Sequence, residues 1–315
     1  MESPKLIITS AYGHTRSNKY LYFEDNNHEE ADTLLIHQAV LASHRNPSHS
    51  QLVFFSPDTD VLVLVTANYD MLLKNTSVSM TSGVVHIGAV WKALGPARAK
   101  ALPAFHAFAG ADNTGRFSRV GKSTWLQAYI RTDEDVINAL QMLEEEVTDG
   151  LLSTLAGFVC AAYAPTGITI KTIPELRWHL FTKHMAESDK LPPTIRALKQ
   201  HILRVHIQAR VWGQAAIAHQ DAQLYPLENG YFKDVDGRLK PTTTDALPAP
   251  KAIVEMVRCQ CKADCSSARC SCRTKNLTCT DLCQCGSQCQ NDEDSQNNAH
   301  LSDDEDEDDD DEDIV

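Results

Sequence analysis

Nine of the ten cysteines lie close together, in the order Cys259-x-Cys261-x3-Cys265-x4-Cys270-x-Cys272-x6-Cys279-x3-Cys283-x-Cys285-x3-Cys289. Thiolates this dense in a reducing compartment read as metal ligands, and the odd count argues against a disulfide knot. Three separate tetrahedral zinc sites would need about twelve sulfurs, so nine suffice only if three of them bridge. The spacing therefore predicts a structural cluster of about three Zn²⁺. Its formal charge of about −3 would be offset by Arg258, Lys262, Arg269, Arg273 and Lys275. So few apolar residues occur there that metal binding must supply the folding free energy.

A second group of residues with chemistry in them is acidic. His28-Glu29-Glu30-Ala31-Asp32 opens a predicted helix, Ser56-Pro57-Asp58-Thr59-Asp60 follows a predicted strand, and Gly110-Ala111-Asp112-Asn113-Thr114 ends an apolar run. Sites in open α/β sheets form outside the carboxyl ends of strands. Asp58 and Asp60 fall at such an end. Several carboxylates gathered there suit Mg²⁺ or Mn²⁺, which take oxygen ligands and activate water for attack on a phosphodiester. Each acid also has a plain structural reading: Glu30 and Asp32 at a helix start, Asp58 as a cap, Asp112 in a turn. Their order (E-x-D, strand-D-x-D, G-x-D) is what favours a joint role.

That order resembles the PIN-like, flap-endonuclease superfamily of metal-dependent nucleases. The resemblance implies a mainly parallel sheet flanked by helices. It also implies catalytic roles for Glu30, Asp32, Asp58, Asp60 and Asp112, with Asp58, Asp60 and Asp112 as Mg²⁺ or Mn²⁺ ligands. Val120-Gly121-Lys122 stands where the family carries a backbone-gripping turn. The stretches HEEADT, SPDTDVLVL, LGPARAKALPAFHAFAGAD and LPPTIRALKQH also look like those of a group of proteins associated with mobile elements. The superfamily draws further aspartates from an N-terminal strand and a later segment, which the 27 residues before His28 cannot both match. Two readings stay open: a chain beginning inside the family's domain, or a site lacking those carboxylates. Ala111 stands where the group tends to have Cys. The cysteine block resembles the tesmin-type CXC domain, which implies DNA binding, with Arg258, Lys262, Arg269, Arg273 and Lys275 meeting phosphates.

Along the chain, residues 28–164 alternate apolar strands with helical segments, an α/β pattern. Lys5–Thr9 reads as a short strand, Ala31–Ser43 as a helix and Gln51–Ser56 as a buried strand. Asp60–Leu73 fits strand or helix. Ile87–Leu94 reads as a helix stopped at Gly95-Pro96, and Asp133–Val147 as a helix capped by Thr132. Ile195, Leu198, Ile202, Val205, Ala209 and Trp212 form one helical stripe, with Arg196, Lys199, Arg204 and Arg210 read as a solvated face. Cys160 reads as core. Gly115–Thr124 mimics a phosphate-binding loop but carries one residue too many between its glycines. His28 and His37 are nine apart, a poor spacing for one zinc.

The predicted domains are a PIN-like domain at 1–164, a helical extension and linker at 165–250, a zinc module at 251–290 and an acidic tail at 291–315. The chain has 42 acids against 29 bases, and 14 of the acids lie between Asp292 and Asp313, leaving a nearly neutral body. Eleven unbroken acids, Asp303–Asp313, repel one another and predict disorder. The tail could contact basic proteins or its own zinc module. The longest nearly apolar stretch, Leu151–Ala164, is too short for a bilayer, and no secretory signal is visible. The expectation is a soluble intracellular protein with no membrane contact and a nuclear location. It would act on nucleic acid, DNA before RNA, as an endonuclease or, alternatively, as a non-catalytic DNA- or chromatin-binding protein on a degenerate nuclease fold.

Overall fold

The computed structural model describes residues 8–11, 14–18, 25–45, 50–184, 191–221, 225–246, 258–262, 264–280, 283–285 and 289–291. The chain divides into two compact units, Met1–Asp245 and Ala246–Val315. The first unit is mixed α/β, dominated by helices and carrying small sheets. No helix among the described residues is long and apolar enough to cross a membrane.

Strands β1 (Ile8–Ala11) and β2 (His14–Ser17) pair antiparallel ahead of α1 (Ala31–Arg45). Then β3 (Gln51–Phe55), α2 (Thr59–Ala67), β4 (Asn75–Met80) and β5 (Gly83–His86) build a three-stranded sheet in the order β3-β4-β5. Only β3 and β4 run parallel; β4 and β5 are antiparallel. The mainly parallel sheet expected from the sequence is thus a single parallel pair plus a hairpin. The reason is the two-residue turn Thr81-Ser82, which folds β5 back on β4, whereas Asp60–Leu73, whose apolar density suits a strand as well as a helix, supplies the crossover that keeps β3 and β4 parallel. That segment forms α2, where the Asp58 side chain accepts from the Asp60 backbone N–H as its N-cap, and a short 3-10 turn at Tyr69–Met71. Nor is β3 a buried strand: Phe55 is 83 % exposed and Val53 36 %.

Helices α3 (Ile87–Leu94) and α4 (Pro96–Gly110) meet at Gly95, whose φ of 79° ends the first and lets Pro96 begin the second. The Gly95-Pro96 stop is therefore also a start. From Ala101 to Gly110 every residue of α4 is buried. A helix apolar all round belongs at the centre of a core, and α2, α3, α5 (Lys122–Arg131), α6 (Glu134–Met142) and α9 (Ile195–Gly213) pack around it. Asp133, not Thr132, caps α6, accepting from the Val136 N–H, and α6 ends at Met142 instead of reaching Val147. Between α6 and α9 come α7 (Asp149–Tyr163) and α8 (Ile173–His184).

The predicted stripe on α9 is buried at Leu198, Ile202, Val205, Ala209 and Trp212, while Ile195 stays 37 % exposed. Its basic residues are not simply solvated. Arg204 Nη1 donates to the Gly230 and Thr242 carbonyls, Arg210 pairs with Asp221 and Arg196 with Asp245. Arg204 thereby seats the hairpin of β6 (Tyr231–Lys233) and β7 (Leu239–Pro241). Through α9, the segment set apart in the sequence as an extension packs into the same unit as residues before 164.

Among its described residues the second unit has almost no apolar core except sulfur. Around a short helix α10 (Ser271–Thr274), seven of the nine cysteines are buried and Cys261 and Cys283 partly so. Asp264 and Asn276 take left-handed φ of 47° and 53°, which short polar side chains tolerate. The Cys279 N–H donates to the Asn291 carbonyl at 2.6 Å, and the buried Asn291 amide donates to the Leu277 carbonyl at 2.9 Å. Residue 291, assigned by composition to the tail, closes the cysteine unit. The acidic run Asp303–Asp313 lies outside the described residues, as do residues 247–250 of the linker.

Candidate metal centres

Two helix starts create the acidic site. Asp32 lies in the first turn of α1, Asp58 caps α2 and Asp60 lies in its first turn. The positive ends of both helix dipoles favour carboxylates there, and α1 packs on α2. One carboxylate oxygen from each of Asp32, Asp58 and Asp60 falls within 4.8 Å of the others, a group that could hold a metal ion. Burial, then the negative charges of Asp58, Asp60 and Glu30, push the Asp32 carboxyl from its ordinary range up to about 6. Carboxylates crowded this way repel one another unless a cation or a proton relieves them.

The remaining expected residues separate. Glu30 acts on Asp32 through its charge, and both its oxygens are already held. The buried Gln208 Nε2 donates to Oε1 at 2.9 Å, and the buried Trp212 Nε1 donates to Oε2 at 2.9 Å. Asp112 is exposed and stands outside the three-carboxylate group. Its loop is nonetheless fixed. Thr114 Oγ1 donates to the Ala107 carbonyl at 2.6 Å and accepts from the Ala111 N–H at 3.0 Å. Asn113 Nδ2 donates to Gln208 Oε1 at 3.3 Å, and the Tyr231 hydroxyl donates to the Asn113 carbonyl at 2.8 Å.

Three residues of this neighbourhood have roles at the site that no sequence pattern marks. His106 on α4 places Nε2 2.8 Å from Asp60 Oδ1, and its ring stacks near Trp212 with centroids 6.0 Å apart. Gln208 and Trp212 come from α9. No local motif marks them, because their partners lie 46 to 182 residues away. His28 and His37 do not share a metal group among the described residues. Their rings stack at 5.5 Å, His28 Nε2 meets the Ile217 carbonyl at 2.7 Å and His37 Nδ1 the Ala216 carbonyl at 3.1 Å, fastening the chain after α9 over the start of α1. Cys160 is core: fully buried, its thiol is pushed up to about 11 by burial.

The cysteine unit offers a separate centre, and its thiols are free of disulfides. Sγ atoms of Cys259 and Cys265 are 3.7 Å apart, Cys259 and Cys279 3.9 Å, Cys270 and Cys279 3.7 Å, and Cys272 and Cys283 3.6 Å. A disulfide would need about 2.05 Å. Four sulfurs at about 2.3 Å from a tetrahedral zinc sit about 3.8 Å apart, so these separations fit the edges of such a site. Three overlapping groups could hold metal: Cys259, Cys272, Cys279 and Cys283; Cys259, Cys265, Cys279 and Cys285; and Cys259, Cys261, Cys265 and Cys270. Cys289 interacts with the thiols of Cys285, Cys279 and Cys265. Burial opposes ionisation of Cys270, but the N–H groups of Arg273 and Cys272 and neighbouring thiols carry it down to about 6, into thiolate range.

Arg258, Lys262, Arg269, Arg273 and Lys275 are all exposed. Arg273 is also a clamp, its Nη1 donating to the Cys265 and Ser266 carbonyls. Among the described residues 258–280 the only acid beside these five bases is Asp264. Compared with protein families, with curated proteins and with solved structures, the chain finds no match.

Proposed function

We propose that this chain is a divalent-metal-dependent nuclease whose carboxylate site hydrolyses phosphodiesters and whose zinc unit brings it to DNA. The observation that carries this reading is the convergence of Asp32, Asp58 and Asp60 within 4.8 Å, in surroundings that raise Asp32 to about 6. Mg²⁺ or Mn²⁺ bound there would polarise a phosphodiester and activate water. The chain's own residues do the rest. Asp32, Asp58 and Asp60 hold the ion, His106 orients Asp60, and Glu30 stands fixed beside them. Asp112, on its braced loop, contributes from outside the group.

In the second unit we propose three structural Zn²⁺ held by nine thiolates. Cys259, Cys265 and Cys279 recur among the three thiol groups and serve as bridges. Cys261 with Cys270, Cys272 with Cys283, and Cys285 with Cys289 then complete one ion each, every remaining thiol used once. Exposed Arg258, Lys262, Arg269 and Lys275 supply phosphate contacts.

Labelled single-stranded, flap and hairpin DNA, incubated with Mg²⁺ or Mn²⁺, tests the reading against an Asp58→Asn/Asp60→Asn variant, which keeps an N-cap side chain at 58. Cleavage should fall by at least about 100-fold in the variant. Equal cleavage by both proteins, or none by either, would sink it. The exposure of Asp112 outside the carboxylate group favours one other reading, a DNA-binding protein on an inactive scaffold. That reading keeps salt-dependent DNA binding without metal-dependent cleavage.

A further inference from the structure

Glu30 is held in an unusual way for an acid at a helix start. Its two oxygens are each taken by a neutral N–H donor from one face of α9, one helical turn apart, at Gln208 and Trp212. Both donors are deep, 5 % and 3 % exposed. Neither carries charge, so neither neutralises Glu30. They spend buried hydrogen bonds on keeping an anion in place and leave its charge directed at Asp32.

Gln208 does a second thing with the same amide. Its Oε1 accepts from Asn113 Nδ2 at 3.3 Å, so one side chain ties the start of α1 to the loop that carries Asp112. The Trp212 ring, besides holding Glu30, lies near His106, whose Nε2 meets Asp60. Through these two residues α9 touches three of the segments that bear the site's acids: the start of α1, the start of α2 by way of His106, and the loop after α4.

We infer that Gln208 and Trp212 are positioning residues for the cation site, setting Glu30 and, through Asn113 and His106, the spacing of the acids around it. The inference rests on the reading that Asp32, Asp58 and Asp60 take a divalent cation. Groups that orient metal-site carboxylates without touching the ion are worth about 10- to 100-fold in metal affinity. A residue that only packs the core gives up stability instead.

Mn²⁺ titration of the zinc-loaded full chain, monitored by electron paramagnetic resonance of the free ion, separates these cases. Four changes are compared with the wild type, each with its melting temperature: Gln208→Leu, Trp212→Phe, Val205→Ala and the Asp58→Asn/Asp60→Asn pair. Val205 is buried on the same helix and makes no contact with Glu30 through a polar group. Gln208→Leu and Trp212→Phe should each weaken Mn²⁺ about 10- to 100-fold, while Val205→Ala lowers the melting temperature and leaves the affinity unchanged. Wild-type affinity in both α9 variants would overturn the inference. So would an equal loss in Val205→Ala, since fold stability alone would then explain it. A wild type that binds no Mn²⁺, or an aspartate pair variant that binds it unchanged, would instead remove the cation site and the inference with it.

Discussion

His201 sits between two main-chain oxygens, Phe108 at 2.8 Å from Nε2 and Thr114 at 3.1 Å from Nδ1. Burial outweighs them and carries its pKa from 6.5 down to about 4. Between those values the unfolded histidine binds a proton that the folded one refuses. Its contribution is therefore whole above about pH 6.5, falls as pH drops, and by about pH 4 has cost about 3 kcal/mol. Urea unfolding from pH 7.5 to 4.5 should show wild-type stability falling more steeply than that of His201→Gln; parallel curves would refute this. At this scale the sequence was informative where chemistry is local. Asp32, Asp58 and Asp60 announce themselves by spacing along two helix starts, and the cysteines by density. His106, Gln208 and Trp212 were illegible because their meaning comes from partners on other elements. By periodicity Trp212 is one more member of the buried apolar stripe on α9, and only its indole N–H sets it apart.

Helices were easier to read than strands. The stripe on α9 and the ends of α3 followed from period and from Gly95-Pro96. Asp60–Leu73 is undecided by pattern, since Val61 to Val65 suit either state, and it is helical from Thr59 behind an N-cap at Asp58. The hairpin of β6 and β7 left little signal, because so much of its support comes from Arg204 on α9. Its entry residue Gly230 has φ +80°, and a Cβ there would meet the Gln200 carbonyl oxygen at 2.5 Å. Gly237, with φ +78°, has nothing within 4 Å. Gly237→Ala should cost about 1 kcal/mol, from backbone strain alone, and Gly230→Ala about 2–3 kcal/mol. Urea midpoints of the two variants check the difference; equal losses would mean that the close approach to α9 contributes nothing.

At the scale of the molecule, the two units are stabilised by different physics. Met1–Asp245 buries helices around α4, whereas the cysteine unit buries sulfur. Removing metal should therefore unfold one and spare the other. With excess chelator, about three zinc ions per chain should be released, and the far-ultraviolet helical signal and main melting transition should persist. Loss of the main transition on chelation would contradict this division of labour. The sequence showed the cysteine unit almost whole, missing only its closing Asn291. It misjudged the sheet because the β4–β5 hairpin, closed by the two-residue turn Thr81-Ser82, adds an antiparallel strand where the α/β alternation suggests a parallel one.

Cys259 belongs to all three thiol groups that could hold metal. A shared ligand of that kind makes occupancy a step and not a slope. Chains at intermediate zinc supply should divide into full and empty populations, with few carrying one or two ions. In the proposed bridged arrangement Cys259, Cys265 and Cys279 each serve two ions, so oxidation at any one of the three should strip a ligand from two sites at once.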